Sequence, residues 1–269
     1  MRSLSWLLFV TAIVNATVDL TALTLTFTGD LAGGGFGAAV RTIWALLRSI
    51  GFLLLIWHLR NGRAGAWPLA IVLTVTTAFG AGRLAPVGGA WTAEQIMVAG
   101  GFVVVVALCA AILLLFRSAP VRAHLTRRRP KYDAPPWVVT ARVLALSYTA
   151  LLLVPCLVAV GTLFGDSRVE LSYAPPLIGG WLALVFMANW IVPLSTLFLR
   201  RGHGWARTVV VTASVLILVS QPALCLLFLG VDGLIRDAVP LAIAATLVLY
   251  GLLGDRSARA YFAARVTRL

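Results

Sequence analysis

Four polar residues set inside long apolar runs are the ones whose types could do chemistry: Asn15, Asp19, Arg41 and Arg48. An ionisable group within a membrane span is expensive to bury, so where one occurs it marks an ion or substrate path, or a buried pair. Asn15 falls near the middle of the first run and Asp19 one turn farther out; Arg48 falls near the middle of the second and Arg41 about two turns farther out. Asp19 therefore lies between the two arginines in depth. A pair with Arg48 or Arg41 would lower the cost of both charges, provided the short connection makes the two helices neighbours. The remaining arginine then lacks an obvious partner, which a hydrophilic cavity or an anionic ligand would supply. In the second half Tyr148, Asn189 and Gln221 lie at comparable depth, beside Pro155, Pro193 and Pro222. Each proline is expected to interrupt its run and free a backbone carbonyl. These seven residues make up the candidate intramembrane polar site, for a substrate or an ion. The competing reading is that they only hold spans together by interhelical hydrogen bonds. Arg142 is shallower and can snorkel to the interface.

Other chemistry is poorly represented. Cys109, Cys156 and Cys225 stand alone within apolar runs, without CxxC spacing, and read as small packing residues. His58, His124 and His203 are far apart and lack metal-binding spacing, so no metal site is expected. No phosphate-binding, dinucleotide or serine-hydrolase motif is present, and Gly33, Gly34 and Gly35 read as a flexible turn. Asp166 with Glu170, or Asp232 with Asp237, could in principle work as acid and base on a lipid headgroup. Their loops are short, and the chain is read as a non-enzyme without cofactors.

The elements that must position these residues follow from composition. Apolar residues make up 61% of the 269 and charged residues 12%, with a formal net charge of +13; mean hydropathy is +0.97. A soluble core cannot hide that fraction. A span needs about 20 apolar residues, and eight stretches qualify: 5–27, 37–58, 67–86, 95–116, 137–164, 177–199, 207–230 and 235–254. The first is too long for a signal-peptide core and is read as an uncleaved span. The third is diluted by Thr74, Thr76, Thr77, Gly80 and Gly82. Alternate gaps carry the basic residues: Arg2, then Arg60 and Arg63, then Arg117 to Lys131, then Arg200, Arg201 and Arg207, then Arg256 to Arg268. The other gaps hold Arg83, Arg168 and Arg236 with the acids Asp30, Glu94, Asp166, Glu170, Asp232 and Asp237. Tryptophans mark the edges, with Trp91 and Trp181 at or near the outer ends, while Trp44 and Trp190 are left mid-span. Basic short loops stay in the cytoplasm, so both termini are expected inside. A seven-span reading would break this alternation and is rejected.

The two halves resemble each other. A shift of 140 residues superposes Leu59, Arg60 and Gly62 on Leu199, Arg200 and Gly202; a shift of 139 superposes Arg117-Ser118-Ala119 on Arg256-Ser257-Ala258; a shift of 136 superposes Gly29-Asp30 on Gly165-Asp166. The expected fold is an all-α integral membrane protein of eight spans, in two same-orientation four-helix repeats, residues 1–131 and 137–269. Between them runs a basic, proline-punctuated cytoplasmic linker, residues 119–136. Its Arg127, Arg128, Arg129 and Lys131 are expected to contact anionic lipid; nucleic acid is not expected, since no binding fold accompanies them. Gly100, Ala107 and Ala111, and Gly180 with Ala183, are expected to permit close helix contact.

The turn Leu199-Arg200-Arg201-Gly202-His203-Gly204-Trp205-Ala206-Arg207 and the segment Asp255-Arg256-Ser257-Ala258-Arg259-Ala260-Tyr261-Phe262 resemble features of uncharacterised multi-pass inner-membrane proteins of actinobacteria. The first half departs from the pattern at Asn61 and Pro120. The resemblance implies a bacterial cytoplasmic membrane location and the topology above, and carries no activity across. The preferred functional expectation is a transport-related or permease-like component, with another membrane subunit or a cytoplasmic ATPase as partner. The alternative is a noncatalytic scaffold or partner subunit, of immunity or regulatory type, in which the polar residues are only structural.

Overall fold

The computed structural model describes residues 2–28, 35–82, 93–126, 134–163 and 172–266. Several residues singled out above lie outside this set: Arg127, Arg128, Arg129 and Lys131 of the linker, Gly29, Asp30, Gly33, Gly34, Arg83, Trp91, Gly165, Asp166, Arg168, Glu170 and Arg268. The side chains of Glu94, Asp232 and Arg265 also fall outside it. Among the described residues all regular structure is helical, and the chain divides into two compact units, Met1–Arg129 and Pro130–Leu269.

Unit 1 holds α1 (Arg2–Thr28), α2 (Gly35–Arg60), α3 (Ala66–Gly82), α4 (Ala93–Phe116) and a short α5 (Ala119–Thr126). Helix α1 packs on α2 and α4, and α3 packs on α2 and α4, closing a four-helix bundle. Thr11 and Thr74 spend their hydroxyls on their own helices, Thr11 on the Leu7 carbonyl at 2.8 Å and Thr74 on that of Ala70 at 2.8 Å. They therefore bring no unsatisfied donor into an apolar layer. The core runs through Leu4 and Leu8 of α1, Phe52 and Leu55 of α2, Ala66 and Ala70 of α3, and Ile112 and Phe116 of α4. Val121 and Leu125 of α5 complete it at one end. Sequence placed this segment in the linker; the structure makes it a helix that plugs the bundle, started by Pro120 in its first turn, where the missing N–H costs nothing.

Unit 2 holds α6 (Pro136–Thr162), α7 (Ala174–Leu199), α8 (Gly204–Gly233), α9 (Val239–Leu249) and α10 (Arg256–Val266). A π turn, Leu234–Ala238, joins α8 to α9, and a second, Tyr250–Gly254, precedes α10. The packing order repeats that of unit 1: α6 on α7 and α9, α8 on α7 and α9. The prolines behave differently from expectation. Helices α6, α7 and α8 run through Pro155, Pro193 and Pro222, and the chain kinks instead at Gly230, where φ is 70° and ψ is −164°. Glycine alone adopts that backbone without a steric penalty.

Helices α2 and α7 end alike. Gly62 (φ 59°) and Gly202 (φ 78°) lie in the left-handed region. The Gly62 N–H donates to the Leu59 carbonyl at 3.0 Å and that of Arg63 to His58 at 3.1 Å; the Gly202 N–H donates to Leu199 at 3.0 Å and that of His203 to Phe198 at 3.3 Å. Both are Schellman-type caps, which use carbonyls the helix itself leaves unsatisfied.

Seven helices are long and apolar enough to cross a membrane among the described residues: α1, α2, α4, α6, α7, α8, and the stretch Leu234–Gly254 built on α9. Helix α3 is apolar but shorter, 17 residues. The outer surface is apolar to match: Leu114, Leu184, Phe186, Trp190, Leu216 and Val219 are all exposed. Such a surface belongs in lipid, and the chain is a multi-pass helical membrane protein. Two expectations about packing are corrected. Gly100 and Gly180 face open space, and Ala107 and Ala183 are exposed; the inward faces belong to Val105, Cys109 and Ile112 on α4 and to Ile178, Trp181 and Val185 on α7. Close approaches occur instead at Gly51 against Leu73, Gly101 against Val18 and Gly251 against Trp137.

Candidate functional site

In unit 1 the polar groups gather where α1 crosses α2. Asn15 donates through Nδ2 to the Ala45 carbonyl and to Ser49 Oγ, both at 2.9 Å. One turn farther along, Asp19 Oδ2 lies 3.7 Å from Arg48 Nη2. This is the ion pair expected from depth alone, and it forms with Arg48. Both side chains are sealed, at 2% and 3% exposure. The Thr42 hydroxyl reaches the Asp19 main-chain carbonyl at 3.4 Å. The rising order on α1 and falling order on α2 of these pairs show that the helices run antiparallel.

Helix α3 closes the site. A Cβ at Gly80 would stand 2.5 Å from Arg48 Nη1, 2.6 Å from Nη2 and 2.7 Å from Cζ, so the guanidinium lies flat against bare backbone. Thr77, one turn inward on the same face, is fully buried. The Asn15 Oδ1 and Thr77 Oγ1 atoms are buried and have no hydrogen-bond partner among the described residues. Arg41 is half-buried, two turns beyond Arg48 on α2.

Unit 2 distributes its polar residues over three helices. Tyr148 and Ser214 meet through their hydroxyls at 3.2 Å; because Ser214 donates to the Val210 carbonyl at 2.8 Å, Tyr148 is the donor between them. Asn189 is half-buried and donates to the Thr149 carbonyl on α6 at 3.0 Å and to Val185 on its own helix at 2.9 Å. Gln221 is buried, with Oε1 lacking a partner among the described residues. Trp181 stacks on Phe228 at 6.1 Å. In the π turn Arg236 and Asp237 pair at 3.5 Å. Trp190 points outward, 61% exposed.

Asn15, Asp19, Arg41 and Arg48 thus belong to unit 1, and Tyr148, Asn189 and Gln221 to unit 2. Ser49, Thr77, Gly80 and Ser214 were not anticipated as part of either cluster. Gly80 and Thr77 did give a signal, since they weaken the third apolar run, but it reads as a poor span instead of a seat for a cation. Among the described residues no three His, Cys, Asp or Glu side chains gather as a metal site. His58 and His124 instead hydrogen-bond the carbonyls of Leu54 and Leu59, each at 3.0 Å.

Burying both members of an ion pair is worthwhile only when their remaining donors and acceptors are met and the geometry is tight. At 3.7 Å the pair is loose for a charge-assisted hydrogen bond. Its main effect is to neutralise two charges that would each be prohibitive alone. No protein-family model, curated protein or solved structure matches the chain.

Proposed function

We propose that this chain is a noncatalytic membrane scaffold or partner subunit of eight spans, in which the buried polar groups fasten helices together. The observation that carries this reading is the enclosure of Asp19 and Arg48 between α1, α2 and the bare backbone of Gly80. A transport site needs water or substrate to reach its charges, and this pair is walled in. The transport-related reading is favoured by a different observation, the buried acceptors Asn15 Oδ1 and Gln221 Oε1. Solvent or a ligand would satisfy them.

The eight-span architecture counts α3 as a span, although 17 residues rise only about 26 Å. Internal duplication supports it. A shift of 134 places Leu4, Thr11, Asn15 and Ala22 on Val138, Ala145, Thr149 and Cys156; a shift of 140 places Ala45, Phe52 and Leu59 on Val185, Val192 and Leu199; all are buried. The same shift of 140 places Ala66, Ala70 and Thr74 of α3 on Ala206, Val210 and Ser214 of α8, again all buried. Thr74 and Ser214 make the same bond, to the carbonyls of Ala70 and Val210, at 2.8 Å each. Helix α3 then has the place in its unit that α8, a full-length apolar helix, has in the other. With the basic gaps inside, each unit begins and ends on the cytoplasmic face of a bacterial inner membrane.

The test is access. In a chain with Cys109, Cys156 and Cys225 replaced by alanine, Ser49→Cys and Asn189→Cys are exposed to a membrane-impermeant thiol reagent in intact membranes and after detergent unfolding. The scaffold reading expects protection at both until unfolding. Labelling at either in the native membrane moves the conclusion to transport or ligand binding.

A further inference from the structure

On the outer side of unit 1, α1 and α2 leave a groove of about 360 Å³ lined by Arg2, Ser5, Trp6, Phe9, Ile56 and Arg60. The spacing explains it. Arg2, Ser5, Trp6 and Phe9 recur at three to four residues and share one face of α1, while Ile56 and Arg60 are one turn apart on α2. Because the helices are antiparallel, both guanidinium groups arrive at the same end, with the aromatic and aliphatic walls running away from them. Both arginines are exposed, and neither side chain has a hydrogen bond or ion pair among the described residues. Trp6 is 67% exposed and meets Phe9 edge-on at 5.9 Å.

We propose that this groove binds one anionic glycerophospholipid, its phosphate between Arg2 and Arg60 and the upper part of an acyl chain against Trp6, Phe9 and Ile56. Charge selects the headgroup, since two cations at the interface attract a phosphodiester and repel a choline. The walls select lipid over free phosphate, because they offer an inorganic ion nothing. Arg2, Trp6 and Phe9 of the groove are not repeated in unit 2. The shift that relates α1 to α6 puts Pro136, Thr140 and Val143 where Arg2, Trp6 and Phe9 stand, which removes one cation and both rings. The two cations of this site are Arg2 of α1 and Arg60 of α2. It rests on α1 and α2 lying in a membrane, as proposed above, and is independent of whether the Asp19–Arg48 pair is sealed or which face is cytoplasmic.

The experiment is lipid titration of the purified full chain in detergent, read by native mass spectrometry, with phosphatidylglycerol, phosphatidylcholine and inorganic phosphate as probes. One phosphatidylglycerol should be retained in preference to phosphatidylcholine, and Arg2→Gln/Arg60→Gln should weaken it about thirtyfold, from the usual contribution of a basic residue near an anionic surface. The charge-matched control Arg256→Gln/Arg259→Gln should leave it unchanged. A second readout needs no change to the arginines: phosphatidylglycerol with brominated acyl chains should quench tryptophan fluorescence, and Trp6→Phe should remove the saturable part. Equal retention of the two lipids, equal weakening by the control pair, displacement by millimolar inorganic phosphate, or saturable quenching that survives Trp6→Phe would each overturn the proposal.

Discussion

Gly80 of α3 occupies the position where any side chain would collide with the Arg48 guanidinium. The arginine has been fitted to its glycine as much as to its aspartate. Gly80→Ala should therefore push the guanidinium off Asp19 and cost about 1–3 kcal/mol, the range of an overpacked core. Thermal unfolding in detergent measures it. Gly100→Ala, on the open face of α4, is the comparison and should be neutral or slightly stabilising. Equal effects at the two glycines would contradict the seat assigned to Arg48.

The amide fasteners should each be worth little. Asn15→Leu removes two bonds to α2 and Asn189→Leu one to α6. Interhelical hydrogen bonds in membranes average about 0.6 kcal/mol, with a maximum near 1.7, so each variant should lose about 1 kcal/mol and keep its fold. A loss several times larger would mean that the amides do more than join helices.

The two helix caps predict a matched pair. Gly202→Ala places a side chain at φ 78°, where the strain costs about 1–2 kcal/mol. Gly62→Ala bears the same strain at φ 59° and also brings its Cβ to 3.0 Å from the His124 carbonyl. It should be the more damaging of the two, as measured by unfolding midpoint. The reverse order would show that α5 does not press on this turn.

Asp255 gives a pH dependence with a definite sign. The Ser257 hydroxyl and then the Ala258 N–H hold its carboxyl below the usual carboxylate range. A depressed value stabilises the folded state above the unfolded pKa, about 3.9, and that contribution is lost as pH falls through the folded value. Hydrogen exchange in α10 should thus be flat from pH 7 to about 5 after correction for intrinsic rates, and rise below about 4. Asp255→Asn should abolish the acid step. An unchanged step in that variant would assign it to another group.

Some of this was legible in the sequence because depth and antiparallel connection are one-dimensional facts. Asp19 could be matched to Arg48 or Arg41 by counting residues from the ends of two runs joined by a short connection, while the contact with Arg48 took the structure to show. The approximate extents of the seven long apolar helices followed from apolar length in the same way. What could not be read was rotation about the helix axis. Gly100, Ala107, Gly180 and Ala183 form stripes of small residues, yet they face outward, since in lipid both faces of a span are apolar and periodicity no longer marks the inside. The same ambiguity hid the role of Gly80. Helices α5 and α10 were missed because they are short and polar, and are held by tertiary contacts: Val121 and Leu125 in the core of unit 1, and the Tyr261 hydroxyl on the Arg200 carbonyl at 2.8 Å.

The central claim is that Asp19 and Arg48 exist to hold α1 against α2 and α3, and a double-mutant cycle tests it most directly. Asp19→Leu and Arg48→Met, alone and together, are compared by equilibrium unfolding in the same detergent. Each single change removes one member of the pair held at 3.7 Å and should cost about 3–5 kcal/mol, whereas the double change removes both charges and should cost clearly less than the sum of the singles. A double variant as unstable as the sum of the singles, or singles that cost nothing, would contradict the account.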